Sequence, residues 1–517
     1  MREVLMWWKL DEHVRGASVR LIKEHETYAK FVHDENVRRR RRSTEAPTIL
    51  PVRRPETWNL DPGFNPYVVR SHHKRIAHAI TERLRDRAYS PRPPAGFSVP
   101  KPSGGKRVVS TFQIADEVVS NRLLRSLTRK NLPRISARAY AYRPDLGPHD
   151  AISYVSTEFR REHRLFVAEY DFSKFFDTVD HGFLLETLDT MGITRTPLEQ
   201  YVIERFLEAP EPYLTAADKS VSKPSRTQGI PQGTSLSLFL ANVAASQLDR
   251  ALERLGVGFV RYADDTLIWS TDYGRIGEAA SILHDASSHI GSPINSEKSL
   301  GIRLLAKEET AHVEMSSTKH VDYLGHRLGL RNVKMKDASV DRIKDRIGDL
   351  IFTNLLLEPL KGTQEPSRLS DVDRDYATLI WQLRRYLYGP LSEKDIRRFQ
   401  TGAIPPMSFE GVMSFFPLID DEDGLRKLDA WIAARIWLAM RKRSRLLRAG
   451  GLTVPRPHSL DRAQLIGFTS KSSRTGDIVD LRMPSVRKIA KVIRLAVSTH
   501  GLGVVSGRAP LYLYSED

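Results

Sequence analysis

Two adjacent carboxylates, Asp264 and Asp265, stand between two short apolar runs, Val257-Gly258-Phe259-Val260 and Thr266-Leu267-Ile268-Trp269. Forced side by side they repel, and each raises the other's pKa unless a cation neutralises them. Such a pair is a site for a hard divalent metal, and carboxylate oxygens suit Mg²⁺. A third acid, Asp171, ends the run Phe166-Val167-Ala168-Glu169-Tyr170. An Asp-Asp turn alone is most often just solvated; the company of this one is what points to chemistry. Between the acidic sites lies Gly229-Ile230-Pro231-Gln232-Gly233-Thr234-Ser235, and beyond them come Ile294-Asn295-Ser296-Glu297-Lys298-Ser299 and Val321-Asp322-Tyr323-Leu324-Gly325-His326.

Local pattern supplies the elements that must position these residues. The two β-prone runs read as a hairpin with the acidic pair at its turn. The run ending at Asp171 reads as a strand that delivers its carboxylate at the strand end. The Gly/Pro-punctuated segment reads as a loop opening a helix, Leu238 to Leu252. Carboxylates from separate strands can then bridge two metal ions about 3.5–4 Å apart, the arrangement that serves in-line phosphoryl transfer.

In this order the motifs resemble those of reverse transcriptases: the first catalytic Asp, the Pro-Gln-Gly loop, the Tyr262-Ala263-Asp264-Asp265 box, the motif-D lysine and the Leu-Gly primer-grip turn. Val99-Pro100-Lys101-Pro102-Ser103-Gly104-Gly105-Lys106-Arg107 is similar to the basic fingers hairpin of bacterial members, and Ala139-Tyr140-Ala141-Tyr142-Arg143-Pro144 to their Tyr-Gly-Phe-Arg-Pro segment. The resemblance runs from about Tyr89 to Leu330. It implies that Asp171, Asp264 and Asp265 are catalytic and hold the metals, with the backbone carbonyl of Phe172 reaching one ion. It also implies that Phe176 collides with a ribose 2′-hydroxyl and so selects deoxynucleotides. Gln232 and Gly233 would lie under the incoming nucleotide, glycine permitting close approach. Lys106 and Arg107 would clamp the triphosphate, and Lys298 would protonate the leaving pyrophosphate. Plainer readings stand beside these roles: a core Phe176, a solvated Lys106-Arg107 pair, an exposed Lys298.

One departure bears on the subgroup. Many bacterial members, including those of group II introns, start the helix after the loop with Pro, where this chain has Leu238. Because Pro pre-sets first-turn backbone geometry, its loss implies a different helix start. The pattern is closer to the abortive-infection and unknown-group reverse transcriptases of bacterial antiphage defence, and the Val-Thr-Gly signature of retron enzymes is not seen.

Composition agrees without identifying anything. The 517 residues suffice for three or four domains, and Lys plus Arg outnumber Asp plus Glu, 80 to 63, for a formal charge of +17. That excess attracts polyanions. The chain has no cysteine, which excludes disulfides and thiolate zinc sites. No apolar run approaches the ~20 residues of a membrane span, and Met1 to Lys9 lacks a signal-peptide core, so a cytoplasmic protein is expected. A helical pattern from Val14 to Val32 precedes Arg38-Arg39-Arg40-Arg41-Arg42, a run that repels itself and stays solvated unless phosphates neutralise it. RNA binding and a basic linker are equal readings of it. Beyond Leu330 the pattern turns helical, with Asp337 to Leu357 beginning a thumb and apolar stripes at Tyr376 to Leu387 and Leu428 to Ala439. No HNH, RNase H or protease signature is recognised in residues 400–517.

The expected architecture is α+β, a right-hand polymerase with fingers, a palm built on an antiparallel sheet, a helical thumb and a helical C-terminal extension. The divisions are a basic N-terminal extension (1–75), fingers and palm (76–335), thumb (336–400) and C-terminal domain (401–517). The expected activity is RNA-directed DNA polymerisation from dNTPs with two Mg²⁺ ions, Mn²⁺ being an alternative. The partners are an RNA template, a dedicated noncoding RNA in the defence reading, and the DNA product; no membrane partner is expected, and oligomeric state stays open. Competing readings are a group II intron-like retroelement enzyme, a template-independent or protein-primed polymerase, and a binding module with a vestigial site.

Overall fold

The computed structural model describes residues 9–100, 106–215, 224–297, 299–307, 315–402, 404–471 and 476–505; the side chains of Pro100, Lys106 and Arg107 also lie outside that description. The chain opens with one 33-residue helix, α1 (Leu10–Arg42). It takes in the whole arginine run that the sequence pattern left beyond a helix end at Val32. Glu35 explains the difference: it pairs with Arg38, Arg39 and Arg42, three, four and seven residues further on, positions that helical geometry stacks on one face. Of the five arginines only Arg40 and Arg41 are exposed, while Arg42 is buried.

Helix α2 (Pro66–Arg85), the hairpin β1 (Ala95–Pro100) and β2 (Lys106–Thr111), and α3 (Ile114–Asn131) form the fingers. Leu10 and Val14 of α1 pack on Val69 and Ala77 of α2 and on Ile114 and Val118 of α3. The palm follows, with α4 (Pro148–Arg160), β3 (Arg164–Asp171), α5 (His181–Thr190), α6 (Pro197–Leu207), α7 (Ser235–Ala244), α8 (Ser246–Leu255), β4 (Gly258–Tyr262), β5 (Asp265–Ser270), α9 (Tyr273–Ile290), β6 (Gly301–Ala306) and β7 (Ser317–Thr318).

These strands make one sheet in the order β4-β5-β3-β6-β7, antiparallel except for β6 with β7. Both faces are covered. Ala168, Tyr170, Phe259 and Ile268 meet the α5, α7 and α9 side, where Leu188, Leu240 and Leu283 lie. Val167, Val260, Leu267 and Trp269 meet Ile152, Val155 and Phe159 of α4. Burial on both faces explains why the palm strands read as nearly unbroken apolar runs rather than alternating ones.

The single helix expected from Leu238 to Leu252 is two, α7 and α8, parted at Ala245. The start is also earlier than Leu238: Thr234 caps α7, its hydroxyl accepting from the Ser237 N–H at 3.2 Å. A side-chain cap thus sets the helix start, and Leu238 is the fourth residue of α7.

A second antiparallel sheet, β8 (Val321–Tyr323), β9 (His326–Leu328) and β10 (Val333–Met335), sends Val321, Tyr323, Leu328 and Val333 into the α4-side core. After it come α10 (Asp337–Ile351), α11 (Arg374–Tyr388), α12 (Glu393–Thr401), α13 (Glu422–Ala449), a short hairpin of β11 (Thr469–Lys471) with β12 (Ile478–Asp480), and α14 (Val486–His500). One apolar core runs through this region, from Ile343 and Ile347 through Leu379 and Leu383 to Ile436 and Ile489. At its edge a fully buried Arg443 binds Asp373 (2.7 and 3.2 Å), Asp375 (2.8 Å), Gln364 (2.9 Å) and the Leu355 carbonyl (2.8 Å). The end of α1 docks here as well. Arg42 donates to Asn354 at 3.1 Å, the Glu365 N–H to the Arg42 carbonyl at 2.9 Å, and the Thr44 N–H to the Thr363 carbonyl at 2.7 Å.

Candidate active site

Asp171 is the last residue of β3 and Asp265 the first of β5, and the register sets them directly opposite each other. Opposed residues of an antiparallel pair have Cα atoms about 4.5–5.5 Å apart, so two carboxylates share one end of the sheet. Asp264 sits beside them in the two-residue turn between Tyr262 and Asp265, which pair across β4 and β5. Ala263, the first turn residue, has φ +61°, a left-handed conformation that costs a non-glycine residue roughly 1–2 kcal/mol.

Arg261 holds that turn, and the sequence reading assigned it no role. Its side chain is 1% exposed and forks onto Asp249 of α8 at 2.7 and 2.6 Å. Its remaining nitrogen donates to the Ala263 carbonyl at 2.9 Å and to Asn242 of α7 at 3.3 Å. Burial alone would lower the guanidinium's pKa, but the Asp249 carboxylate outweighs it and raises it. Tyr323 closes the other side: its buried hydroxyl donates to the Asp265 carbonyl at 3.2 Å, and burial, with the Asp265 charge, pushes its pKa well above the ordinary tyrosine value.

Asp171 is positioned by the segment Ile294 to Ser299. The Asn295 amide donates to the Asp171 carbonyl (2.8 Å) and its side chain to the carboxylate (3.2 Å), while the Asp171 N–H reaches the Ser299 hydroxyl (3.3 Å). Asn295 is a second residue without an assigned role in the sequence reading. Lys298, in the same segment, lies outside the described residues. The Phe172 ring is buried against Phe175 at 5.5 Å. Its strand bridge to Ile294 is flanked by bonds from Ser173 and Asn295 that do not use the Phe172 carbonyl.

The Gly229–Gly233 loop lies against Phe176 and Asp177. The Ile230 N–H donates to the Phe176 carbonyl at 2.6 Å, and the Gln232 side-chain amide to Asp177 at 2.7 Å. Phe176 is half-buried and meets Phe175 edge-on at 5.9 Å. Gly233 has φ +97°, and a Cβ there would stand 1.9 Å from the Ser110 carbonyl. No side chain fits that contact, so the fingers strand β2 rests directly on this glycine. Lys106 and Arg107 belong to the same strand, paired with Pro100 and Val99. The structure therefore gathers Asp171, Asp264 and Asp265 at one sheet end, and ties Phe176, Gln232 and Gly233 into one loop contact.

Among the described residues no group of three or more His, Asp or Glu side chains already forms a metal cage. The donors at the sheet end are nonetheless all oxygens, on two segments, the end of β3 and the β4–β5 turn, a set that fits hard divalent ions. The turn of Leu324 (φ +45°) and Gly325 (φ +77°) lies at the end of β8 next to Tyr323. His326 behind it is buried against Phe415 and Phe416, and burial pushes its pKa down to about 4.

Residues 99–328 match the family model for reverse transcriptase (RNA-dependent DNA polymerase). The chain is 24% identical over 199 residues to the putative COX1/OXI3 intron 2 protein of Saccharomyces cerevisiae, covering 38% of this chain and 22% of that protein. It is 25% identical over 201 residues to protein YkfC of Escherichia coli, covering 38% of this chain and 50% of YkfC. The chain thus spans half or less of the length of these relatives. Among solved structures, telomerase from Candida tropicalis with a TWJ fragment of telomeric RNA aligns over 74% of this chain and 68% of its own at 11% identity and a TM-score of 0.39. The fold is that of a right-hand polymerase, and the segment carrying the acidic sheet end is similar to the reverse transcriptases.

Proposed function

We propose that this protein is an RNA-directed DNA polymerase that extends a primer on an RNA template. The observation that carries the reading is the placing of Asp171 opposite Asp265, with Asp264 on the adjoining turn. In the reaction the primer 3′-oxygen attacks the α-phosphorus of a dNTP, a P–O bond forms, and the bond to pyrophosphate breaks in line. Two Mg²⁺ ions held by Asp171, Asp264, Asp265 and the Phe172 carbonyl would supply charge neutralisation at the attacking and leaving oxygens. Gln232 and Gly233 support the nucleotide, Phe176 excludes the 2′-hydroxyl, Lys106 and Arg107 bind the triphosphate, and Lys298 donates the proton that leaves with pyrophosphate. The test is labelled dNTP incorporation on primed RNA, with Asp264→Ala/Asp265→Ala beside the wild type. Template-dependent incorporation that the variant abolishes supports the reading; incorporation that the variant retains sinks it.

A role in antiphage defence with a dedicated noncoding RNA, in the cytoplasm, is the finer reading, supported by Leu238 where many bacterial members carry proline. Equal phage resistance in cells carrying the intact gene and the double-alanine gene would exclude it. The similarity to yeast intron proteins favours a second reading, a group II intron-like retroelement enzyme, which predicts an intron RNA flanking the gene. Incorporation without added RNA would instead indicate a copurified template, or template-independent or protein-primed synthesis.

A further inference from the structure

A groove of about 1510 Å³ lies between α1, α3 and the loop before α6. It is outside the acidic sheet end, and its lining reaches Ser235, the first residue of α7. One wall is α3, which presents Arg122, Arg125 and Arg129 along the groove, while Lys130 beside them is paired with Glu199 at 2.6 Å. The spacing of three and four residues puts the three arginines on one helical face. The other wall is α1, and there the chain carries Gly16 and Ala17 where larger residues would narrow the opening. A Cβ at Gly16 would meet no atom within 4 Å. Arg20 adds a further cation from α1, and Phe97, 46% exposed, stands in the lining.

The inner end of the groove is defined by Glu117 and Ser235, joined by a hydrogen bond from the Ser235 hydroxyl. Ser235 is two residues from Gly233 and opens α7. The outer end lies at Lys130 and Arg195. From Glu117 to Lys130 the wall is about 20 Å long at 1.5 Å per residue. The cations also face His13 on the α1 wall, whose pKa is lowered by burial and then by the Arg122 and Arg125 charges, against Glu12 and Asp11.

We propose that this groove receives the unpaired 5′ stretch of the template strand and leads it to the Gln232–Gly233 loop. The cations track a phosphate backbone, and an exposed ring offers a sequence-tolerant surface for a base, the two features that single-strand channels combine. The helix α1 that forms the second wall precedes residues 99–328, the stretch that matches the family model, so this channel is a feature of the present chain's N-terminal extension. The inference rests on the polymerase reading for the word template, but not for binding itself.

The test is fluorescence anisotropy with the full chain and three labelled probes: a single-stranded RNA, a primer–RNA duplex with a 5′ template overhang, and the same duplex blunt. Arg122→Glu/Arg125→Glu/Arg129→Glu should weaken binding of the first two at least about 10-fold and reduce the salt slope by about 2 for three lost phosphate contacts. Binding of the blunt duplex should change less than about twofold. Gly16→Glu is the companion variant. It replaces a mid-helix glycine with a better helix former, so it should fold at least as well while obstructing and charging the groove, with the same selective loss. Equal losses on blunt and overhung duplexes, or no loss with either variant, overturn the proposal. Because binding needs no turnover, the selective loss is read whether or not dNTP is incorporated, so failure of the groove assignment and failure of the polymerase reading are told apart.

Discussion

Replacing Arg261 by Lys tests whether the acidic turn is held from below. The lysine ammonium can still neutralise Asp249, so the buried charge keeps its counter-ion, but a single point charge cannot also reach the Ala263 carbonyl and Asn242. The wild-type bond to Ala263 is 2.9 Å long, and a hydrogen bond from a charged donor contributes about 1.5–3 kcal/mol. The turn it restrains stores roughly 1–2 kcal/mol in the left-handed Ala263. Losing a restraint comparable to the strain lets the turn relax and misplaces Asp264 and Asp265. A fall of about 10–100-fold in kcat follows, which is about 1.4–2.8 kcal/mol of transition-state stabilisation. Single-turnover dNTP incorporation measures it, with thermal unfolding run alongside to exclude a merely unfolded enzyme. The double variant Arg261→Lys/Ala263→Gly is decisive, since glycine takes φ +61° without steric cost. It should regain most of the lost rate. Wild-type turnover in Arg261→Lys would refute the reasoning, and so would a loss that Ala263→Gly leaves untouched. Arg261→Ala is the wrong variant, because it strands the buried Asp249 carboxylate at a cost of about 3–5 kcal/mol.

Gly233→Ala should raise the dNTP KM and cut incorporation at least about 10-fold, because its Cβ would stand 1.9 Å from the Ser110 carbonyl at φ +97° and such strain costs about 1–3 kcal/mol; an unchanged KM counts against the loop as the nucleotide's support. Phe176→Val should lower discrimination against ribonucleotides about 10–100-fold, the range of a lost steric clash worth 1.4–2.8 kcal/mol, read as the ratio of kcat/KM for dNTP and rNTP; an unchanged ratio assigns Phe176 to packing alone. Burial pushes the Glu117 carboxyl from 4.5 up to about 7, so folding takes up a proton, and this group's favourable contribution is full below about pH 4.5 and lost as pH rises through about 7. Glu117→Gln should therefore stabilise the protein by roughly 3 kcal/mol near pH 8 and by little near pH 4.5; denaturant unfolding that shows the same difference at both pH values would contradict this.

The acidic hairpin was legible because its determinants are local: two apolar runs, a two-residue turn and the acids themselves. The strand ending at Asp171 was legible for the same reason. The extent of α1 was present in the sequence but hidden by the charge run, since the Glu35 that precedes three of its arginines at helical spacing gives the sign of a continuing helix. The break at Ala245 carries no glycine or proline to announce it. Arg261, Asn242 and Asp249 come together only after α7 and α8 pack beneath β4, so no window of sequence around Arg261 reveals the contact. Asn295 is hidden likewise, because its partner lies 124 residues earlier.

Helix α1 has a mechanical consequence. Its 33 residues make a rod of about 50 Å, bedded in the fingers at Leu10 and Val14 and fastened to the thumb side at Arg42, Ser43 and Thr44. A hand whose fingers and thumb are joined by such a tie-bar is a closed frame rather than an open clasp. An outward swing of the thumb on the palm would have to carry the rod with it or break the contacts at Arg42, Ser43 and Thr44. Strain imposed at one side of the frame is therefore delivered to the other without passing through the palm.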